Sequence, residues 1–194
     1  MKQRNATLRL CFLGIMAAMI FVVNYLRIPF MGTSLHLTNG LCAMSGILLG
    51  PAGGFLSAGM GSMLFDVISG YDVAGCLITF VSKGAIGLVT GLIAFRAGHA
   101  LRLGRRELLT VLAGTAAGAL SYVALYMLKT FCFGLWVNGF TMEATLLNMG
   151  AKLPGSLINA VFACIVCPVL YAPLKPALQQ AGLLSKAAPA GRDA

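Results

Sequence analysis

Three lysines and their polar neighbours carry the chemistry of this sequence, because they lie in stretches that are otherwise apolar. Between Leu35 and Phe95 the formal charges are Asp66, Asp72 and Lys83. A cation in the middle of a hydrocarbon layer costs about 2.5 to 3.5 kcal/mol on insertion scales, so it normally faces a bundle interior, a charged partner or a ligand. We therefore expect Lys83 to bind a ligand, to form a structural ion pair with Asp66, or to do both.

Lys129 and Lys152 each belong to a series of polar residues at helical spacing, together with tyrosines, amides and hydroxyls. A single lysine near a helix end can extend to the lipid headgroups, which is the simpler explanation of either residue alone. A whole polar stripe that faced lipid would leave every member without a partner, so the stripes together predict a polar cavity. The predicted substrate-binding residues in these stripes are Thr79, Lys83, Tyr122, Tyr126, Lys129, Asn148, Lys152 and Asn159.

The segment from Arg27 to Asn39 is predicted to be an outer loop that closes over this cavity, with His36 and Asn39 facing inward. A loop histidine without any role is the commoner case, and that alternative for His36 stays open. The lysines, amides and tyrosines suit a small aromatic or carboxylate-bearing solute, and the three amines favour an anion.

Motifs for catalysis or for metal binding are missing from the sequence. It contains no Walker A motif, no H-E-x-x-H and no G-x-S-x-G, and it has few carboxylates for acid–base pairs. Cys164-x-x-Cys167 has metal-site spacing but no second ligand pair, which favours packing. We expect a protein that is not an enzyme, binds no metal and needs no cofactor of its own.

The elements that position these residues are predicted to be membrane-spanning helices. The 194 residues are 59% hydrophobic and 10% charged, with a mean hydropathy of +0.89, far below the roughly 25% charged content of soluble domains. The expected fold is an all-α integral membrane protein with six transmembrane helices. Their predicted bounds are Leu8–Leu26, Leu37–Gly50, Gly53–Ser69, Val73–Phe95, Glu107–Phe131 and Ala144–Tyr171.

The distribution of basic residues predicts that both termini are cytoplasmic. Arg96, Arg102, Arg105 and Arg106 fall in one predicted loop, and Lys175 belongs with Lys186 and Arg192 to the predicted tail. Cytoplasmic segments carry such an excess of Lys and Arg. We expect one transmembrane domain over residues 1–182 and a disordered cytoplasmic tail over 183–194.

The stretch from His36 to Ala94 resembles a known family. It contains the turn Leu49-Gly50-Pro51, then a glycine-rich helix with Asp66 near its end, then Lys83-Gly84 in the next helix. These features are similar to those of S components, the substrate-capture subunits of energy-coupling factor (ECF) transporters, which import vitamins in prokaryotes.

The resemblance implies a subunit of the prokaryotic cell membrane that captures a vitamin or vitamin precursor from outside. Its implied partners are a transmembrane coupling subunit and two ATPase subunits, which spend the ATP. The family's Ala-x-x-x-Ala coupling surface corresponds here to Gly14-x-x-x-Ala18. A self-sufficient small-solute carrier or channel is the alternative. Pyridoxine-like, pyrimidine, pantothenate and niacin ligands all stay open.

Overall fold

A computed structural model describes residues 2–30, 33–98 and 105–180, and nearly all of them are helical. The elements are α1 (Lys2–Val23), β1 (Arg27–Phe30), β2 (Thr33–His36), α2 (Thr38–Ile68), α3 (Val73–Gly98), α4 (Arg105–Cys132) and α5 (Met142–Gln180), with a π-helical turn at Phe133–Val137. Helices α2 to α5 are each long and apolar enough to cross a membrane, whereas the apolar part of α1, Thr7–Val23, is shorter. The helical membrane fold is confirmed, while the count of six spans and the side on which the termini lie stay predictions. The predicted tail, 183–194, lies outside the described residues.

Helix α2 reverses direction at the predicted Gly50-Pro51 break. Gly50 has φ 81° and ψ 178°, a conformation that side-chain-bearing residues rarely adopt, and Pro51 has no N–H to continue the ladder. Two predicted helices therefore correspond to the two halves of α2. Every residue from Thr38 to Gly50 is buried, so this short first half is enclosed by protein instead of facing lipid.

Glycines allow the two halves of α2 and helix α3 to touch backbone to backbone. A Cβ placed on Gly46 would overlap the carbonyl oxygen of Gly87, and one placed on Gly91 would lie 2.7 Å from the nitrogen of Pro51. A Cβ on Gly87 would lie 3.0 Å from the Cα of Gly54 and closer still to its carbonyl group. Small residues permit this approach in membranes, where van der Waals packing holds helices together.

The segment predicted as an outer loop forms a β-hairpin. Strands β1 and β2 pair antiparallel, with Arg27 opposite His36 and Phe30 opposite Thr33. Helix α2 begins at Thr38, one residue after the predicted start at Leu37, so Asn39 lies in the helix and the predicted loop is shorter than Arg27 to Asn39. The hairpin marks one end of the bundle, called here the hairpin end, because the main chain of His36 bonds to α5 there.

Lys175 does not belong to a tail, because α5 continues to Gln180. At the end of the bundle opposite the hairpin, the Lys175 amine and the Tyr171 hydroxyl both donate to Oε1 of Glu107 on α4. Lys175 and Tyr171 are 1% and 0% exposed. A buried pair is far less costly than either charge alone, so this contact fastens α4 to α5.

We expect Gly87→Ala to lower the free energy of unfolding by about 1 to 3 kcal/mol, the usual cost of overpacking. The added methyl group would meet the backbone of Gly54, which cannot move without displacing α2. Thermal unfolding in detergent measures the effect. Gly150→Ala is the matched control, because no atom lies within 4 Å of a Cβ built there. Equal stability of the two variants would contradict the packing described.

Candidate functional site

Two adjoining cavities open at the hairpin end, and they share His36 and Tyr122 in their walls. The first, called the α4–α5 cavity, has a volume of 360 Å³ and is also lined by Tyr126, Lys152 and Asn159. The second, called the α2–α3 cavity, has a volume of 230 Å³. Its further lining includes Asn24, Phe65, Asp66, Tyr71, Asp72, Thr79, Lys83 and Lys129.

The structure brings eight of the ten predicted substrate-binding residues to these two cavities, namely His36, Thr79, Lys83, Tyr122, Tyr126, Lys129, Lys152 and Asn159. Asn39 lies behind the wall, where it bonds to Lys83. Asn148 lines neither cavity. The predicted convergence of the polar stripes is therefore observed, and the contact of each residue with a ligand stays a prediction.

Lys83 is held from two sides by groups on neighbouring helices. Its amine donates to Oδ1 of Asn39 on α2 and lies 4.7 Å from the centre of the Tyr122 ring on α4. The Lys83 side chain is buried, and Asn39 is only 1% exposed. A neutral amide and an aromatic face both stabilise an ammonium group without neutralising its charge.

The predicted ion pair between Asp66 and Lys83 is not present in the part of the chain that the structure describes. The ion pair found there joins Lys175 to Glu107. Both residues line the α2–α3 cavity, so they face the same space without contact. Lys83 bonds to Asn39 instead, because α2 and α3 approach closely enough to bring the amide to the amine.

A wall of two stacked tyrosines borders the α4–α5 cavity. The rings of Tyr122 and Tyr126 are stacked, with centroids 6.0 Å apart and planes inclined by 14°. Residues four apart lie on one helix face, so the α4 sequence alone gives this arrangement. Such a wall suits a planar ring, which stacks well against aromatic side chains.

The hairpin is attached to α5 through one of the cavity residues. The backbone N–H of His36 donates to Oδ1 of Asn159 at 2.7 Å, and Nδ2 of Asn159 donates to the carbonyl oxygen of Gly155 at 3.0 Å. Asn159 therefore orients the hairpin over the cavities as well as lining one of them.

The other two lysines differ in their exposure. Lys129 is half-buried, and its amine lies 5.6 Å from the centre of the Phe133 ring. Lys152 is exposed at the edge of the α4–α5 cavity. Lys83 and Lys129 thus share one cavity, and Lys152 borders the adjoining one.

Sequence reasoning did not find Asn24, which lines the α2–α3 cavity. Its Nδ2 donates to the carbonyl oxygen of Ile20 at 3.0 Å, and its Oδ1 accepts from the Thr38 hydroxyl at 3.2 Å. This network joins the end of α1 to the start of α2. In the sequence, Asn24 stands out as an amide between two apolar stretches. That pattern does not indicate which residues the amide contacts.

The sequence from residue 4 to residue 176 matches the family described as ECF-type riboflavin transporter, S component. No curated protein matches the chain. The family match covers most of the 194 residues.

The chain belongs to this S-component family. S components are substrate-binding subunits of transporters and are not enzymes, so the cavities at the hairpin end are those of a membrane transport protein. Across residues 2–30, 33–98 and 105–180, no group of three or more His, Cys, Asp or Glu side chains is placed to hold a metal ion.

The predicted coupling residues Gly14 and Ala18 lie at an apolar groove between α1 and the second half of α2. The groove has a volume of 430 Å³ and is also lined by Phe21, Met60 and Leu64, among others. No atom lies within 4 Å of a Cβ built on Gly14. This S component therefore presents a close-packing surface there, and its use by a coupling subunit stays a prediction.

We expect Asn39→Val to lower the free energy of unfolding by about 1.5 to 3 kcal/mol, because it leaves the buried Lys83 amine without its amide acceptor. The loss should be smaller when Lys83→Met is added, since the uncompensated amine is then absent. Thermal unfolding of both variants in detergent measures this coupling.

Asn148→Val is the control for that experiment, because Asn148 lines neither cavity and is only half-buried. Additive effects of the Asn39 and Lys83 substitutions would contradict the contact.

Proposed function

We propose that this S component captures a vitamin or vitamin precursor from outside a prokaryotic cell and presents it for ATP-driven import. The observation that supports this most strongly is the pair of polar cavities at the hairpin end of an otherwise apolar helical bundle. In this proposal the hairpin end faces outward and the site is filled before the partner subunits act.

Riboflavin is the first substrate to test, because the family description names it. The stacked Tyr122 and Tyr126 rings support a planar aromatic ligand, and Asn159 and Lys152 supply hydrogen-bonding groups at the edge of the same cavity. Pyridoxine, a pyrimidine vitamin precursor, pantothenate and nicotinate are the comparison ligands.

The proposed partners are a transmembrane coupling subunit and two ATPase subunits. The sequence has no Walker A motif, so energy from ATP would come from those subunits and no cofactor would be needed in this chain. The groove at Gly14 and Ala18 is the proposed coupling surface.

A self-sufficient carrier or channel is the second candidate, and it would need a polar path through the bundle. The Glu107, Tyr171 and Lys175 cluster argues against one, because it is packed between α4 and α5 at the end opposite the cavities. A contact with two side chains at or below 1% exposure leaves no room for a solute.

Reconstitution in vesicles distinguishes the two candidates. We expect the purified chain to bind its ligand tightly without nucleotide, and to move it across the bilayer only with the coupling and ATPase subunits and ATP. Radiolabelled riboflavin is the first probe. Transport down a gradient by the chain alone would favour the carrier and contradict the capture function.

We also expect Lys83→Ala and Lys152→Ala to weaken ligand binding while still inserting into the membrane. Hydrogen bonds to charged groups contribute about 1.5 to 3 kcal/mol, so each loss should reduce affinity by about tenfold or more. Calorimetry in detergent measures it, with Leu92→Ala as the control because Leu92 is 69% exposed and borders neither cavity. Unchanged affinity in both lysine variants would remove these residues from the site.

A further inference from the structure

Asp66 presents a carboxylate that the protein itself leaves unused. It is half-buried near the end of α2 and lines the α2–α3 cavity. Its backbone oxygen accepts from the N–H of Tyr71 at 3.0 Å, but no hydrogen bond or ion pair to its carboxylate is recorded among the described residues. A carboxylate in this position has free acceptor sites that face the cavity.

Asp72 borders the same cavity but is already engaged. Its Oδ2 accepts from the backbone N–H of Gly75 at 2.9 Å, at the start of α3. This is the side-chain contact of a helix N-cap. The two aspartates therefore differ in function, since one closes a helix terminus and the other faces the cavity.

Lys83 supplies the complementary donor. Its bond to Asn39 uses one of three ammonium hydrogens, and the side chain also lines the α2–α3 cavity. Asp66 and Lys83 are not within ion-pair distance of each other, so the space between them is available to a ligand that offers a donor to one and an acceptor to the other.

The formal charges around this cavity cancel. Asp66 and Asp72 balance Lys83 and Lys129 when His36 is neutral. Within the α2–α3 cavity the lining as a whole does not call for an anion, and Lys152 adds one positive charge at the edge of the adjoining α4–α5 cavity. A carboxylate entering the cavity would approach Asp66 at short range, and like charges in a partly desolvated space repel strongly.

We infer that Asp66 is a specificity-determining residue that accepts a hydrogen bond from the ligand and disfavours carboxylate-bearing compounds. The inference rests on the proposed capture function and narrows its substrate class. The preferred ligand is uncharged and carries an N–H or O–H donor beside a carbonyl or ring-nitrogen acceptor. Asp66 would accept a hydrogen bond from the donor of the ligand, and Lys83 would donate one to its acceptor.

The test compares Asp66→Asn with Asp72→Asn, which make the same change in charge at the same cavity. The probes are riboflavin, nicotinamide, nicotinate and pantothenate, measured by calorimetry on the full chain in detergent. Nicotinamide and nicotinate have the same ring, which carries an amide in nicotinamide and a carboxylate in nicotinate. Mass spectrometry of compounds retained by the wild-type protein is the second measurement.

We expect the wild-type protein to bind the uncharged probes more tightly than the carboxylate probes. Asp66→Asn should lower the affinity for the uncharged probes by about tenfold. The same variant should raise the affinity for the carboxylate probes, because it removes the repulsion between their carboxylate and that of Asp66. Asp72→Asn should lower the affinity for the uncharged probes much less than Asp66→Asn does, since an asparagine oxygen can still accept from Gly75. A structural role for Asp66 would lower the affinity for both kinds of probe together.

Tighter wild-type binding of nicotinate or pantothenate, or equal effects of the two variants, would overturn the inference and leave the capture function intact. Binding of no probe, with no retained compound, would count against the capture function itself. If Asp66→Asn does not fold, the retained compound decides, because a carboxylic acid would overturn the inference and an uncharged donor would support it.

Discussion

The burial of an amine within an apolar bundle is the constraint on which the rest of the hairpin end depends. Lipid offers no hydrogen-bond acceptor, so an amine buried there must find its partners on neighbouring helices. Lys83 on α3 finds them in Asn39 on α2 and Tyr122 on α4. Three helices are thereby fixed around one charge.

Glycine contacts hold two of these helices, α2 and α3, close together. Gly46 and Gly54 of α2 meet Gly87 of α3 without intervening side chains. Asn39 and Lys83 lie on the same two helices that these glycines hold close together. The close packing and the polar contact therefore both join α2 to α3.

Helical periodicity accounts for the parts of the site that could be predicted from the sequence. The four-residue step from Tyr122 to Tyr126 is a local property, as is the break at Gly50-Pro51. Neither the Asn39–Lys83 contact nor the Glu107–Lys175 contact could be predicted, because their members lie 44 and 68 residues apart. Those pairings depend on how closely the helices approach one another, and the sequence pattern gives no information on the distance between helices. For the same reason the sequence predicts Lys175 in a tail and offers Asp66 as one possible partner of Lys83.

The two ends of the bundle use similar chemistry with opposite consequences. Oε1 of Glu107 accepts from both Tyr171 and Lys175 in a buried contact that joins α4 to α5, whereas Oε2 of Glu107 has no hydrogen-bond partner among the described residues. At the hairpin end, Asp66 and Lys83 face a cavity instead of each other. Tyr122 and His36 belong to the walls of both cavities, so the two cavities adjoin each other. One end of the bundle therefore has charged side chains that line a cavity, and the opposite end has charged side chains in direct buried contact between two helices.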